Sequence, residues 1–242
     1  MDRPDKLDYR PAVHDSEGLQ MRNGKGERLW RPLNNPQTLQ ISAFMDENPK
    51  GFGLIQRHRD FDYYQDLEAN YHQRPSAWVQ PVGDWGKGQV ELVEIPSDSE
   101  ENDNIVAYWK PAEGLKKGEP YQYAYKLTSP DDVPDNETSP RIVRSTSGLK
   151  LFDGNKEIVL DYNNIDSKDI EHINVIAHIS QGKIIERRIQ ANPNINGARV
   201  TITFDPEDAD VAEIRVQLNK DDKYAAPTWL YRWLNRDWNN SL

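Results

Sequence analysis

The sequence predicts an all-β chain, and three observations carry that expectation. Apolar and polar residues alternate with a period of two in several short runs. The clearest sets Tyr121, Tyr123, Tyr125 and Leu127 against Gln122, Ala124, Lys126 and Thr128. Beyond a Pro-rich stretch, about seven short strands fall within roughly 100 residues, the spacing of an immunoglobulin-like (Ig-like) β-sandwich. No segment of useful length carries the 3.6-residue apolar period of a helix.

Taken in order, residues 1–28 are polar, with Asn23-Gly24 and Lys25-Gly26 as turn signals, and read as a loop crossing a surface. Residues 29–33 are a short apolar stretch stopped by Pro32 and Pro36. Residues 39–45 alternate, with Leu39, Ile41, Ala43 and Met45 on one side, which predicts a strand. Asn48-Pro49-Lys50-Gly51 turns that strand into a returning one at 52–57. Residues 60–71 fit a short helix with Asp60 as N-cap, ended by Arg74-Pro75. Strands are then expected at 77–80, 89–95, 105–110 and 121–128, with Gly83-Asp84-Trp85-Gly86 as a tight loop.

Residues 129–140 hold three prolines and four acids and read as a linker. They divide the chain into domains of 1–128 and 141–242. In the second domain, strands are expected at 141–145, 157–161, 172–179, 183–190, 198–204, 212–218 and 228–234, with Ser180-Gln181-Gly182 as a hairpin turn.

Composition narrows the function. The net charge of −10 over 242 residues disfavours a nucleic-acid partner, which needs a basic face, and an anionic membrane surface. A neutral ligand such as a glycan is compatible with it. The absence of cysteine removes disulfides, thiolate-bound zinc and cysteine nucleophiles. No apolar run reaches membrane-spanning length, and the first 18 residues show no apolar signal-peptide core. His14, His58, His72, His172 and His178 are scattered, without a metal-ligand spacing. His172 and His178 fall on one face of an expected strand but about 20 Å apart, too far to share an ion. No metal or cofactor is expected, and neither a GxSxG elbow nor a phosphate-binding loop occurs.

The chemistry concentrates in residues 52–88. There Phe52, Phe61, Tyr63, Tyr64, Tyr71, Trp78 and Trp85 lie among Asp60, Asp62, Asp66, Glu68 and Asp84 and among Arg57, Arg59 and Arg74. Rings stack on the C–H faces of sugars, and charged groups bind hydroxyls, so this mixture suits a sugar chain. The plainer reading makes the rings core. Asp84 is the foremost candidate for a general acid, because it sits in a Gly-flanked loop beside Trp85, which could desolvate it. Its plainer role is to accept turn hydrogen bonds. Asp60, Asp62, Asp66 and Glu68 are alternatives whose plainer roles are helix N-terminal charge and surface pairs with Arg57 and Arg59. Near the C-terminus Trp229, Tyr231, Trp233 and Trp238 cluster, and the first three share a strand face, which points first to packing, with a secondary glycan platform as the sharper alternative.

Five segments together resemble one known family: WRPLNNP at 30–36, GFGLIQR at 51–57, the run 60–68, RPSAWVQP at 74–81 and GDWGKGQVELVEIP at 83–96. They are similar to the periplasmic glucans biosynthesis proteins of the G and D type, linked to the osmoregulated periplasmic glucans of Gram-negative bacteria. The resemblance covers essentially the whole chain. It implies that residues 1–128 are the C-terminal portion of a large β-sandwich, followed by the Ig-like domain. It further implies an activity like inverting endo-β-1,2-glucan hydrolysis, with Asp84 as the acid and a distant Asp as the base. Arg57, Arg59, Asp60, Tyr64, Asp66, Trp78 and Trp85 are then the substrate-binding wall. The implied partners are a β-glucan and the glucan synthase machinery, and the implied location is the periplasm. Two departures stand out. Many members carry a carboxylate where this chain has Gln80, and members are about twice as long, with the base in the part this chain lacks.

Overall fold

A computed structural model describes residues 9–130, 138–150 and 154–235. The chain is all-β, as the alternation predicts. In chain order the strands are β1 (Gly18–Arg22), β2 (Arg28–Pro32), β3 (Gln40–Glu47), β4 (Gly51–Ile55), β5 (Ala77–Val82), β6 (Lys87–Glu94), β7 (Ile105–Pro111) and β8 (Ala124–Thr128). They continue with β9 (Arg141–Leu149), β10 (Lys156–Asn163), β11 (Asn174–Ile179), β12 (Lys183–Asn192), β13 (Gly197–Asp205), β14 (Val211–Lys220), β15 (Lys223–Tyr224) and β16 (Thr228–Leu234).

Two compact units form, one of Met1–Gly26 with Pro32–Pro134 and the other of Glu27–Arg31 with Asp135–Leu242. Residues 131–137, most of the expected linker, lie outside the described residues. Within the expected first domain, residues 27–31 belong to the second unit, because β2 pairs in parallel with β16 through Leu29 opposite Thr228 and Trp30 opposite Trp229.

In the first unit β1, β4, β5 and β8 pair antiparallel in that order, and β3, β6 and β7 form a separate three-stranded sheet. The segment expected to be loop contains β1, whose Leu19 and Met21 are buried opposite Leu54 and Phe52. Two glycines set the approach of β5 to β4. A Cβ on Gly53 would lie 2.0 Å from the Ala77 carbonyl oxygen, and one on Gly51 would lie 2.2 Å from the Trp78 ring.

Two expectations for this unit need correction, and one strand shows an unexpected exposure. The helix expected over 60–71 is a single turn, Phe61–Tyr64, which Asp60 caps by accepting the Asp62 N–H. It ends because Gln65 turns left-handed at φ 54° and the Asp66 carboxylate then captures the N–H groups of Glu68 and Ala69. A helix this short repays little of its nucleation cost, so local Asp and Asn turns win. Of the strand expected over 121–128, only Ala124–Thr128 pairs. The apolar face of β3 points to solvent, with Ile41 at 52% and Met45 at 85% exposure, while Ser42 is buried. Alternation defines two faces of a strand but does not say which one is covered.

The second unit is a two-sheet sandwich. One sheet runs β12-β13-β10-β9, and the other contains β11, β14 and β16, with β2 beside β16 and β15 on β14. Its core interleaves Ile158, Leu160 and Tyr162 of β10 and Val200, Ile202 and Phe204 of β13 with Ile214, Val216 and Leu218 of β14. Trp229 and Trp233 are buried, and Trp233 meets Phe204 edge-on at 6.1 Å, so the C-terminal aromatics serve the core. Trp238 lies outside the described residues. His172 belongs to a 3₁₀ turn, Ser167–His172, and not to the strand with His178, because Asp166 caps that turn at the Lys168 N–H.

Candidate functional site

The segment after β4 leaves its sheet at Gln56 and is held from beneath. Gln56 is fully buried, and its Nε2 donates to the Tyr64 hydroxyl at 2.6 Å and to the carbonyls of Tyr71 and His14 at 3.1 and 3.2 Å. Its N–H donates to Ser76 Oγ at 3.0 Å, and that hydroxyl donates back to the Gln56 carbonyl at 3.4 Å. Ser76 is therefore a turn hydroxyl locked against the main chain.

The next two residues are held by Glu17. Its Oε1 accepts the Arg57 N–H at 2.9 Å and the His58 N–H, and its Oε2 accepts Arg57 Nε at 3.2 Å and lies 3.6 Å from His58 Nε2. Burial acts to raise the Glu17 carboxyl, but Arg57 and His58 outweigh it and hold it below the ordinary glutamate range. Rings close the cluster. His58 stacks on Tyr63 at 4.2 Å, and the His14 ring meets Tyr63 and Tyr64 edge-on at 5.9 and 5.2 Å. Burial lowers the His14 imidazole to about 4 despite nearby Glu17, so it is neutral at neutral pH.

The sequence-predicted residues separate into distinct roles. Arg57 is paired with Glu17, and Arg59 donates through Nη1 to the carbonyls of His72 and Arg74. Asp60 is exposed at the cap of the helical turn. Tyr64 is wholly buried and accepts from Gln56. Asp66 is buried and accepts Arg10 Nη1 at 2.7 Å, and the same guanidinium reaches Glu100 at 2.8 Å. Trp78 lies in the β4–β5 packing over Gly51. Trp85 is buried against Tyr123, Trp109 and Phe52 at 5.0, 5.9 and 6.5 Å, and its Nε1 donates to the Ala124 carbonyl at 3.1 Å.

Asp84 is exposed on a loop framed by positive φ at Gly83 (82°) and Gly86 (67°). Its Oδ1 accepts the Gly86 N–H at 2.7 Å. Asn48 braces the same loop, its Oδ1 accepting the N–H groups of Trp85 and Gly86 at 3.0 and 2.8 Å.

What faces outward from the cluster is a narrow surface of Asp60, Asp62 and Tyr63, with half-buried His58 and Arg57 behind it. Exposed carboxylates beside a fixed ring can bind hydroxyls while the ring takes an apolar sugar face. Sequence reasoning did not find Glu17, Gln56 or His14. Glu17 and His14 are isolated polar residues in a segment read as loop, and Gln56 closes a patterned strand without marking itself as buried; only the pairing of β1 with β4 brings the first two close to residues 57–64.

Fold and surface together define an all-β protein of two units, the second a two-sheet sandwich. The chain belongs to the periplasmic glucan biosynthesis protein family: the family described as periplasmic glucan biosynthesis protein, MdoG, matches residues 1–233. It is 63% identical over 238 residues to Glucans biosynthesis protein G 2 of Shewanella oneidensis, covering 98% of this chain and 45% of that protein. Glucans biosynthesis protein G of Vibrio cholerae is 46% identical over 229 residues, covering 93% of this chain and 42% of that protein. That of Shewanella baltica is 43% identical over 235 residues, covering 96% and 43%. The chain thus spans less than half the length of these relatives. No helix among the described residues is long and apolar enough to cross a membrane.

Proposed function

We propose that this chain supplies one wall of a β-glucan cleft in a periplasmic glucan-processing protein. The observation that carries this reading is the surface at residues 57–64. Two residues from outside it, half-buried Glu17 and fully buried Gln56, have a carboxylate or carboxamide committed to it, while its own Asp60, Asp62 and Tyr63 stay exposed. A surface merely facing solvent has no need of that support.

The proposed reaction is an inverting endo-hydrolysis of β-1,2-glucan. One carboxylic acid protonates the glycosidic oxygen, while a second carboxylate takes a proton from the water attacking the anomeric carbon from the opposite face. Asp84 is the proposed acid, with Asp60 as the alternative. Arg57, Arg59, Tyr64, Asp66, Trp78 and Trp85 support or line the wall, and the base is assigned to the part of the relatives beyond this chain's span. Reducing-end assays on linear β-1,2-glucan test the reading, using this chain and a full-length relative. We expect little turnover by this chain and loss of turnover in the relative on replacing the residue equivalent to Asp84 or Asp60 by Asn. Hydrolysis that survives both replacements contradicts the acid assignment.

A second reading, a non-catalytic carbohydrate-binding or assembly module working with the glucan synthase machinery, is favoured by one observation. The Asp84 carboxylate is engaged by the Gly86 N–H, the ordinary role of an Asp in a turn. Saturable glucan binding without turnover, in the full-length relative as well, selects this reading.

A further inference from the structure

Glu17 lies outside every segment that marks the family resemblance, yet its carboxylate accepts two main-chain N–H groups and the Arg57 guanidinium of the candidate surface. We infer that Glu17 is a positioning residue that holds the 57–63 surface in its ligand-binding shape; this inference rests on the glucan reading above.

The Glu17 main chain is fixed first: its N–H donates to the Ile55 carbonyl at 2.8 Å, and its carbonyl accepts the Leu33 N–H at 2.9 Å. The side chain then reaches past the end of β4 to the next two peptide N–H groups, those of Arg57 and His58, where no strand partner continues the ladder. Buried N–H groups at a strand end need an acceptor, and here one carboxylate oxygen serves both. The other oxygen takes the Arg57 guanidinium and faces the His58 ring. The His58 ring stacks on Tyr63, so the main chain, the guanidinium and the exposed tyrosine are all set by one anion. Glu17 does not reach the exposed edge of Tyr63 or the Asp60 carboxylate through any of these contacts, so it acts on a ligand only through the residues it holds.

The test compares the chain with Glu17→Gln, which keeps an acceptor oxygen but removes the charge, and Glu17→Ala, which removes both. Two readouts are taken: amide exchange at Arg57 and His58, and calorimetric affinity for linear β-1,2-gluco-oligosaccharides. Melting temperature serves as the control for global stability. We expect Glu17→Gln to melt within a few degrees of the parent and to bind at least tenfold more weakly, and Glu17→Ala to lose amide protection at both positions. If the parent binds and both variants bind equally well, the inference is overturned. If the parent binds no oligosaccharide, the glucan reading fails, and amide exchange alone then decides the positioning role. Protection lost in Glu17→Ala supports it, and protection unchanged overturns it.

Discussion

At the scale of single residues, the second unit carries a buried anion that parallels Glu17. The Asp161 carboxylate accepts Arg199 Nε and Nη2 at 2.8 and 2.9 Å and Arg144 Nε at 2.9 Å. The network sits where the pairing of β10 with β9 slips between Asp161 and Tyr162. Burial acts to raise this carboxyl, but Arg199 and Arg144 outweigh it and leave it below the ordinary aspartate range. A depressed folded value means that the stabilisation is fully present above the unfolded value of ~3.9 and is lost as pH falls through the lower folded one. Both guanidiniums reach solvent, which discounts the pair. Asp161→Asn is therefore expected to cost about 1–3 kcal/mol at neutral pH, with the gap to the parent closing below about pH 4 in urea melts. The residues that matter most at this scale were the least legible in the sequence. Nothing in the pattern around Glu17, Gln56 or Asp161 distinguishes a buried, multiply bonded side chain from a solvated one, because their partners lie between 8 and 42 positions away and folding alone creates the contact.

At the scale of elements, strands were readable where both the period and the burial agree. β10, β13, β14 and β16 fall where alternation places them, since a sandwich covers one face of each strand. β1 was missed because its alternation, Leu19 and Met21 against Gln20 and Arg22, is only four residues long within a polar stretch. The tight loop around Asp84 was legible from its glycines, but its brace was not. Asn48 itself adopts φ 55° at the β3–β4 turn and joins that turn to the Asp84 loop through its side chain. Asn48→Gly keeps the backbone conformation and deletes only the two side-chain hydrogen bonds. It is expected to cost about 1–2 kcal/mol in denaturant melts and to raise amide exchange at Trp85 and Gly86. If the Asp84 loop works in catalysis, the same variant lowers turnover in a full-length relative without touching the carboxylate.

At the scale of the whole molecule, most of the exposed large apolar side chains among the described residues belong to the first unit. Ile41, Met45, Val106 and Tyr108 lie on one face of the β3-β6-β7 sheet, and Tyr125 and Leu127 of β8 are 56% and 61% exposed. On the β3-β6-β7 face these side chains are interspersed with Gln89, Glu91 and Lys110, and they are open to a hydrophobic probe. The native chain is expected to enhance the fluorescence of a hydrophobic dye, and Ile41→Thr with Met45→Lys is expected to reduce that signal without lowering the melting temperature. Fold class and family were legible at this scale, because both rest on long ordered patterns. The wall of the proposed cleft was legible only as a region: Trp78 and Trp85 are committed to packing, and the exposed part narrows to Asp60, Asp62 and Tyr63. Titration calorimetry of linear β-1,2-glucan against the intact chain, Asp60→Asn and Tyr63→Ala tests the central claim most directly. The expected result is saturable binding by the parent that weakens at least tenfold in both variants while their melting temperatures hold. No binding by the parent, or binding that both variants retain unchanged, contradicts a glucan wall at residues 57–64.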